Sequence, residues 1–435
     1  MFFQQEIETM SRERIKELQL ERLKKTVELV YNRVPLYRER FDSLGIKPED
    51  IRSLEDLRRI PLTTKEDLRL NYPFGMFAAD MRDVVRIHAS SGTTGKPTVV
   101  GYTRHDLDVW SDCVARLIVM TGVTKDDIAQ ISFGYGLFTG ALGLHQGLEK
   151  VGCTVIPMSS GNTDKQLMIM EDFGTTVLVA TPSYAVYLSE VAAERNLRER
   201  LKLRIGLFGA EGCTPEMRAL IEQNFGILAT DNYGMSELIG PGVSGECELR
   251  TGLHIAEDHF IVEIINPETG EPVPDGEYGE VVVTPVSKEA FPLLRYRTRD
   301  ISRLITEPCA CGRTHARMDK IRGRSDDMLI IKGVNVFPSQ IESVLVQLSD
   351  IGIGPHYLLV LKKKGRMDAL EVQVELIDSS VLENFKRLEA TQKTIHEKLR
   401  SVLGLECDVT LVAPKTIERS TGKAKRVLDL RSESK

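Results

Sequence analysis

The sequence predicts an α/β fold in two parts. Residues 1–325 form a large N-terminal α/β body with a β-rich subdomain at its end, and residues 326–435 form a small, mobile C-terminal α+β domain. Three observations predict this. From about residue 84, short β-branched runs alternate with helical stretches. Between about 240 and 305 the alternation gives way to hairpin-like segments. After a polar, glycine-bearing stretch at 321–327, a compact βαββα pattern begins. A chain of 435 residues is long enough for two or three such units.

Taken in order, the segment 5–40 reads as an amphipathic helix. Leu23, Val27, Val30 and Val34 recur at helical spacing among charged residues, and Pro35 ends it. Strands are expected at 84–87, 151–157, 176–181, 203–208 and 227–230. The helices between them are expected near 105–121, 139–150, 164–173, 183–195 and 215–224, which argues βα units and a largely parallel sheet. Ligands of such sheets bind beyond the carboxyl ends of the strands. The segments 257–265 and 279–285, with turn residues between them, read as hairpin strands. In the C-terminal part, strands are expected at 328–332, 357–362, 370–376 and 407–412. Helices are expected from about 339 and over 380–402.

Composition excludes several function classes. The net charge of −6 leaves no electrostatic footprint for nucleic acid. No run of about 18 apolar residues suggests a membrane span. The start, Met1-Phe2-Phe3-Gln4-Gln5-Glu6, lacks the basic residues and apolar run of a secretory signal. Seven cysteines are an odd number for a disulfide framework, so a reducing cytoplasm is the expected compartment.

The loudest local signal is Ser90-Ser91-Gly92-Thr93-Thr94-Gly95-Lys96. Glycines let backbone N–H groups turn toward an anion, hydroxyls add donors, and Lys96 adds charge, so the expected guest is a polyphosphate. It is not a Walker A loop. Ser90 stands where that motif needs its first glycine, Pro97 follows Lys96, and a strand rather than a helix comes next.

This loop resembles the phosphate loop of the adenylate-forming superfamily of acyl- and aryl-CoA synthetases, luciferases and peptide-synthetase adenylation domains. Further segments resemble its motifs in order: Asp231-Asn232-Tyr233-Gly234-Met235-Ser236-Glu237, Tyr296-Arg297-Thr298-Arg299-Asp300, Gly323-Arg324-Ser325-Asp326-Asp327 and Arg419-Ser420-Thr421-Gly422-Lys423. Within the superfamily, 133–140 and 333–342 are most similar to the phenylacetate–CoA ligase group.

The resemblance implies roles. Tyr233 stacks on adenine, with Asn232 near its amino edge, and Gly209-Ala210-Glu211 form the opposite wall. Glu237 holds Mg²⁺. Asp300 accepts the ribose hydroxyls with help from Arg324. Asp326 is the hinge about which the small domain turns. Lys423 is the catalytic cation that stabilises carboxylate attack on the α-phosphate. Lys332, Gly333, Val334 and Asn335 line the path of CoA in the second step.

Tyr135, Phe138, Gly140 and Ile239 are candidates for an acyl pocket. No basic residue in those stretches suggests a second substrate charge, which favours a neutral aryl acid. The implied reaction joins phenylacetate to CoA, consuming ATP and releasing AMP and diphosphate through an acyl-adenylate. A related aryl acid, or a carrier-protein thiol as acceptor, is the alternative. A silent nucleotide-binding interaction protein is the rival from another class, and the intact Lys423, Asp300 and Glu237 argue against it. Expected partners are the aryl acid, ATP and CoA, without nucleic acid or membrane; a homodimer is one expected state.

The cysteines suggest a second site. Cys247, His254, Cys309 and Cys311 make a Cys₃His set that suits tetrahedral structural zinc. His315 or His259 can substitute for His254, and reduced, unliganded thiols are the alternative. Cys113, Cys153, Cys213 and Cys407 lie in apolar contexts and read as core.

Overall fold

The structure, a computed structural model, describes residues 1–90, 97–325, 329–331, 334–364, 367–419 and 426–431. Ser91, Gly92, Thr93, Thr94, Gly95, Lys96, Asp326, Lys332, Gly333 and Lys423 lie outside the described residues.

The chain opens with three helices, α1 (Gln5–Glu8), α2 (Arg12–Arg33) and α3 (Pro35–Leu44), where one was expected. Pro35 does not simply stop a helix. The Val34 N–H closes α2 on the Val30 carbonyl, and Pro35, with its fixed φ and missing N–H, occupies the first turn of α3. The expected apolar face is real: Leu23, Val27, Val30 and Val34 are fully buried.

After α4 (Lys65–Leu70) come β1 (Arg86–Ala89) and β2 (Val99–Tyr102), paired antiparallel in a hairpin of their own. The first expected strand therefore does not belong to the large sheet. Its link to β2 is too short for the crossover that parallel pairing needs.

The βα series then runs α5 (Arg104–Val119), β3 (Ile128–Ile131), α6 (Thr139–Val151), β4 (Thr154–Ile156), α7 (Thr163–Asp172), β5 (Val177–Ala180), α8 (Pro182–Glu194), β6 (Ile205–Gly209), α9 (Pro215–Phe225) and β7 (Leu228–Met235). It continues into β8 (Gly240–Glu246) and β9 (Leu253–Ile255). The second sheet takes β10 (Phe260–Ile265), β11 (Gly279–Pro285) and β12 (Tyr296–Ser302). Short strands β13 (Leu304–Ile305), β14 (Arg317–Met318) and β15 (Gly323–Arg324) complete the body.

The large sheet has nine strands in the order β13-β14-β9-β8-β7-β6-β5-β3-β4. From β4 to β7 it is parallel; from β7 to β13 it is antiparallel. The expectation of a largely parallel sheet thus holds for one half. A four-residue turn after β7 leaves no room for a crossover, so β8 must return antiparallel. β8, which carries three glycines and a proline, is buried throughout. The second sheet, β10-β11-β12-β15, is antiparallel as the hairpin pattern predicts.

The C-terminal unit comprises β16 (Leu329–Ile331), β17 (Val334–Val336), α10 (Pro338–Val346), β18 (Ile353–Lys364), β19 (Met367–Leu376), α11 (Ser380–Glu383), α12 (Phe385–Leu403), β20 (Asp408–Val412) and β21 (Val427–Asp429). Asn384 splits the expected 380–402 helix; its side chain accepts from the Arg387 N–H and so caps α12. Ile341, Leu359, Val372, Ile395 and Leu399 belong to a hydrophobic core separate from those of the body.

Candidate active site

The site lies where β6 and β7 end. Gly209 pairs with Asn232, and a Cβ on Gly209 would lie 2.7 Å from the Asn232 carbonyl oxygen, so only glycine fits there. The Asn232 amide donates to the Phe208 carbonyl at 2.6 Å. Ala210 follows with φ +72°, left-handed backbone that a non-glycine residue rarely adopts. Glu211 accepts from the Ser183 N–H at 2.7 Å, which fixes this wall to the start of α8.

Tyr233, Asp300 and Arg324 come together, although they are far apart in sequence. The Tyr233 hydroxyl donates to Asp300 Oδ2 at 2.6 Å, and Arg324 Nη1 stands 3.3 Å from Asp300 Oδ1. Pairing of β12 with β15 sets Asp300 opposite Arg324. A register shift between Glu280 and Val282, with Arg299 at φ +69°, re-aims β12 at this point. Burial pushes the Tyr233 phenol well above its ordinary value, and the Asp300 charge adds to this.

Gly234 makes the next turn possible, because a Cβ there would lie 1.8 Å from the Gly240 carbonyl oxygen. The turn behind it carries Met235, Ser236 and Glu237. Ser236 Oγ lies 3.1 Å from Thr139 Oγ1, tying the turn to the first residue of α6. Glu237 is buried and hydrogen-bonded to Tyr296. The Asp231 N–H, two residues before Tyr233, donates to Glu246 Oε2 at 2.8 Å. Burial and the neighbouring Glu246 raise the Asp231 carboxyl to about 7, against the opposing pull of Arg218 and Lys320.

Ser90 closes the stem of the glycine-rich loop. Its N–H donates to the Thr98 carbonyl at 2.9 Å, and its Oγ accepts from the Thr98 N–H at 3.1 Å.

Of the acyl-pocket candidates, Tyr135 hydrogen-bonds His145 Nδ1 at 3.0 Å and is partly buried. Phe138, at the start of α6, is 49% exposed, and a Cβ on Gly140 would meet nothing within 4 Å, so this side is open. Ile239 is buried, and its carbonyl accepts from the Tyr102 hydroxyl at 3.0 Å. Tyr102 stacks on Trp110 with centroids 4.9 Å apart, and His88 meets both rings edge-on.

Sequence reasoning missed Lys288. It is buried beside Ile239, with Nζ 4.6 Å from the Tyr102 ring and 5.1 Å from the Phe291 ring. Burial lowers its ammonium to about 8. A lone lysine after a strand carries no sequence signal for this, since most such lysines are solvated.

The C-terminal unit meets the body through polar contacts on α8. His356 Nε2 lies 3.1 Å from Glu190, and Lys415 Nζ lies 3.0 Å from Glu194. Within the body, Cys247, His254, Cys309 and Cys311 converge, with donor atoms within 4.8 Å of one another.

A parallel half-sheet whose strand ends carry this constellation, followed by a separately cored C-terminal unit, defines an adenylate-forming enzyme. The sequence profile of the AMP-binding enzyme family matches residues 11–286, and that of the AMP-binding enzyme C-terminal domain matches 333–431. The chain belongs to this family and, within it, to the phenylacetate–coenzyme A ligases; it is an AMP-forming acid–thiol ligase of the aryl type. It is 50% identical to the phenylacetate–coenzyme A ligase of Escherichia coli over 98% of this chain and 97% of that protein. It is 48% identical to that of Thermus thermophilus over 99% and 100%.

Among solved structures, 2-hydroxyisobutyryl-CoA ligase in its postadenylation state aligns with TM-score 0.90 and 28% identity, over 99% of this chain and 92% of that one. The same ligase with 2-HIB-AMP and CoA, in the thioesterification state, aligns at 0.73 and 29% identity, over 98% and 92%. Body and C-terminal unit are therefore arranged here more nearly as in the former. Among the described residues, no helix is long and apolar enough to cross a membrane.

Proposed function

We propose that the chain activates phenylacetate and passes it to coenzyme A. End-to-end likeness to ligases named for that acid carries this reading. The open, aromatic 133–140 segment, with Tyr135, Phe138 and Gly140, supports it as the acyl side of the site, with Ile239 as a further candidate.

In the first step a carboxylate oxygen of the acid attacks the α-phosphorus of ATP, and the bond to diphosphate breaks. Tyr233, with Asn232 and the Gly209–Glu211 wall, holds the base; Asp300 and Arg324 hold the ribose. The 90–96 loop holds the phosphates through its N–H groups, hydroxyls and Lys96. Glu237 is a buried carboxylate of the hard-oxygen kind that Mg²⁺ takes, so it fits a metal that would neutralise phosphate charge. Lys423 supplies the cation at the carboxylate and α-phosphate. Arg419, four residues earlier, bonds Glu375 of β19 at 2.8 Å and anchors that segment to its own domain.

In the second step residues 326–435 turn about Asp326 relative to 1–325. Lys332, Gly333, Val334 and Asn335 then line the CoA path. The CoA thiol loses its proton, its sulfur attacks the acyl carbon, and AMP leaves. All seven cysteines are free, which suits a reducing cytoplasm.

A panel of acids tests the substrate. Phenylacetate should give a higher kcat/KM than acetate, hexanoate or benzoate in CoA-dependent AMP release. A straight-chain fatty acid as best substrate would contradict the aromatic pocket. Acyl-adenylate formation with no CoA-dependent release would point to a carrier-protein acceptor.

A further inference from the structure

The set Cys247, His254, Cys309 and Cys311 plays no part in the adenylation site, and its geometry is specific. Cys247 Sγ lies 3.9 Å from Cys309 Sγ, and Cys311 Sγ lies 3.4 Å from His254 Nε2. A tetrahedral zinc has Zn–S near 2.3 Å and Zn–N near 2.0–2.1 Å, so the edges of its ligand tetrahedron are roughly 3.5–3.8 Å. All four donor atoms lie within 4.8 Å of one another, and the two separations lie within about 0.1 Å of those edges. They are also far too long for a disulfide, whose sulfurs sit about 2.05 Å apart. We propose that these four side chains bind one structural zinc ion.

The fold brings the ligands from three places. Cys247 follows β8, His254 sits in β9 opposite Gly245, and Cys309 and Cys311 come from the loop between β13 and β14. Gly312, at φ +87°, turns that loop so that its N–H bonds the Cys309 carbonyl. Cys247, His254 and Cys309 are buried, as structural ligands should be.

The other candidate histidines are engaged elsewhere. His315 bonds the carbonyls of Ile255 and Ile7, and His259 pairs with Asp258.

Two further features fit a metal. Three thiolates and Zn²⁺ leave a net charge of −1, and a counter-charge stands ready. Arg317 is buried, and among the described residues it has no carboxylate partner. It donates to Thr251 Oγ1 at 2.6 Å, and that oxygen lies 3.5 Å from Cys309 Sγ. On the other side, His254 Nδ1 and Ser244 Oγ have no partner among the described residues, and both residues line a cavity of about 20 Å³. One water fits there, and by accepting from Nδ1–H it would fix the tautomer that presents Nε2 to the metal.

The ion would brace two parts of the body. β8 pairs with β7, which carries Asn232 and Tyr233. The 309–316 segment grips the N-terminus through Arg313–Glu8 at 2.7 Å and the Thr314 N–H to the Glu8 carbonyl at 3.1 Å.

The test is metal analysis of the full-length protein purified without added metal or chelator, with a chromogenic zinc assay during mercurial titration of the thiols. About one zinc per chain, released as the thiolates are titrated, is expected. Stripping it should lower Tm by about 5 °C or more and speed proteolysis within residues 1–12. Cobalt reconstitution gives a readout that does not rely on a folded variant: visible bands of a tetrahedral thiolate site should appear, and Cys311→Ser should shift them. Protein with less than about 0.1 metal per chain, unaltered Tm and no tetrahedral cobalt spectrum would overturn the proposal. So would zinc that is retained at full stoichiometry in a Cys309→Ser/Cys311→Ser double variant.

Discussion

The body and the C-terminal unit are built on opposite terms. In the body, charges are buried and locked: Arg116 to Asp258 at 2.7 Å, Arg218 to Glu246 at 2.7 Å and Arg295 to Glu263 at 3.0 Å, all at low exposure. The C-terminal unit keeps its own core and touches α8 through the exposed pair Lys415–Glu194, 71% and 56% exposed, and the half-buried His356–Glu190, whose histidine carries charge only when protonated. The first arrangement is costly to break, because removing one partner leaves a buried charge unpaired. The second costs little to break, which is what a domain needs if it must reach the α-phosphate in one step and withdraw in the next.

Breaking a body charge should therefore hurt most. Arg116→Met leaves Asp258 buried with only His259 at 3.0 Å and the more distant Arg22, and should cost about 3 kcal/mol of stability, seen as a large drop in the main calorimetric transition. A loss below about 1 kcal/mol would mean that the body's ion pairs are no firmer than surface ones.

The body's electrostatics also predict a pH effect. The Asp231 carboxyl is raised to about 7, chiefly by burial. Between its unfolded value of 3.8 and about 7, the folded state holds a proton that the unfolded state has lost, so its contribution to stability falls as pH rises through that window. Asp231→Asn should gain stability relative to wild type between pH 5 and pH 8. Parallel Tm–pH curves for the two proteins would show that Asp231 is ionised in the fold.

The smallest effect belongs to the domain junction. Lys415→Ala should change stability by less than about 1 kcal/mol, because both partners are solvated. If it destabilised the protein as much as the Arg116 variant, the C-terminal unit would be an integral part of the body rather than a docked domain.

Much of this was legible before any coordinates. Periodicity located α5 to α9 and most strands of the C-terminal unit, because amphipathic helices and β-branched runs carry strong local signals. Tyr233, Asp300 and Arg324 were each singled out by motif, and the structure shows the hydrogen bonds that join them. What escaped was set by non-local pairing. β8 is written in glycines because α5 crowds it: a Cβ on Gly242 or Gly245 would meet Val114 or Leu117 at 3.0 Å or less. β1 was assigned to the wrong sheet, since a four-residue strand carries no record of its partner. Lys288 was invisible because its burial comes from the rings of Tyr102 and Phe291, which no spacing relates to it.

The division of labour between the two regions is tested most directly by single-turnover kinetics of each half-reaction in Lys423→Ala. The C-terminal cation should serve only the attack on the α-phosphate. Adenylate formation should slow by roughly 10²-fold or more, the scale of one lost charge-stabilising donor. Thioester formation from supplied phenylacetyl-adenylate should stay within about twofold of wild type, since on the proposed mechanism Lys423 stabilises no group in that step. Equal loss in both half-reactions, with Tm unchanged, would contradict the account.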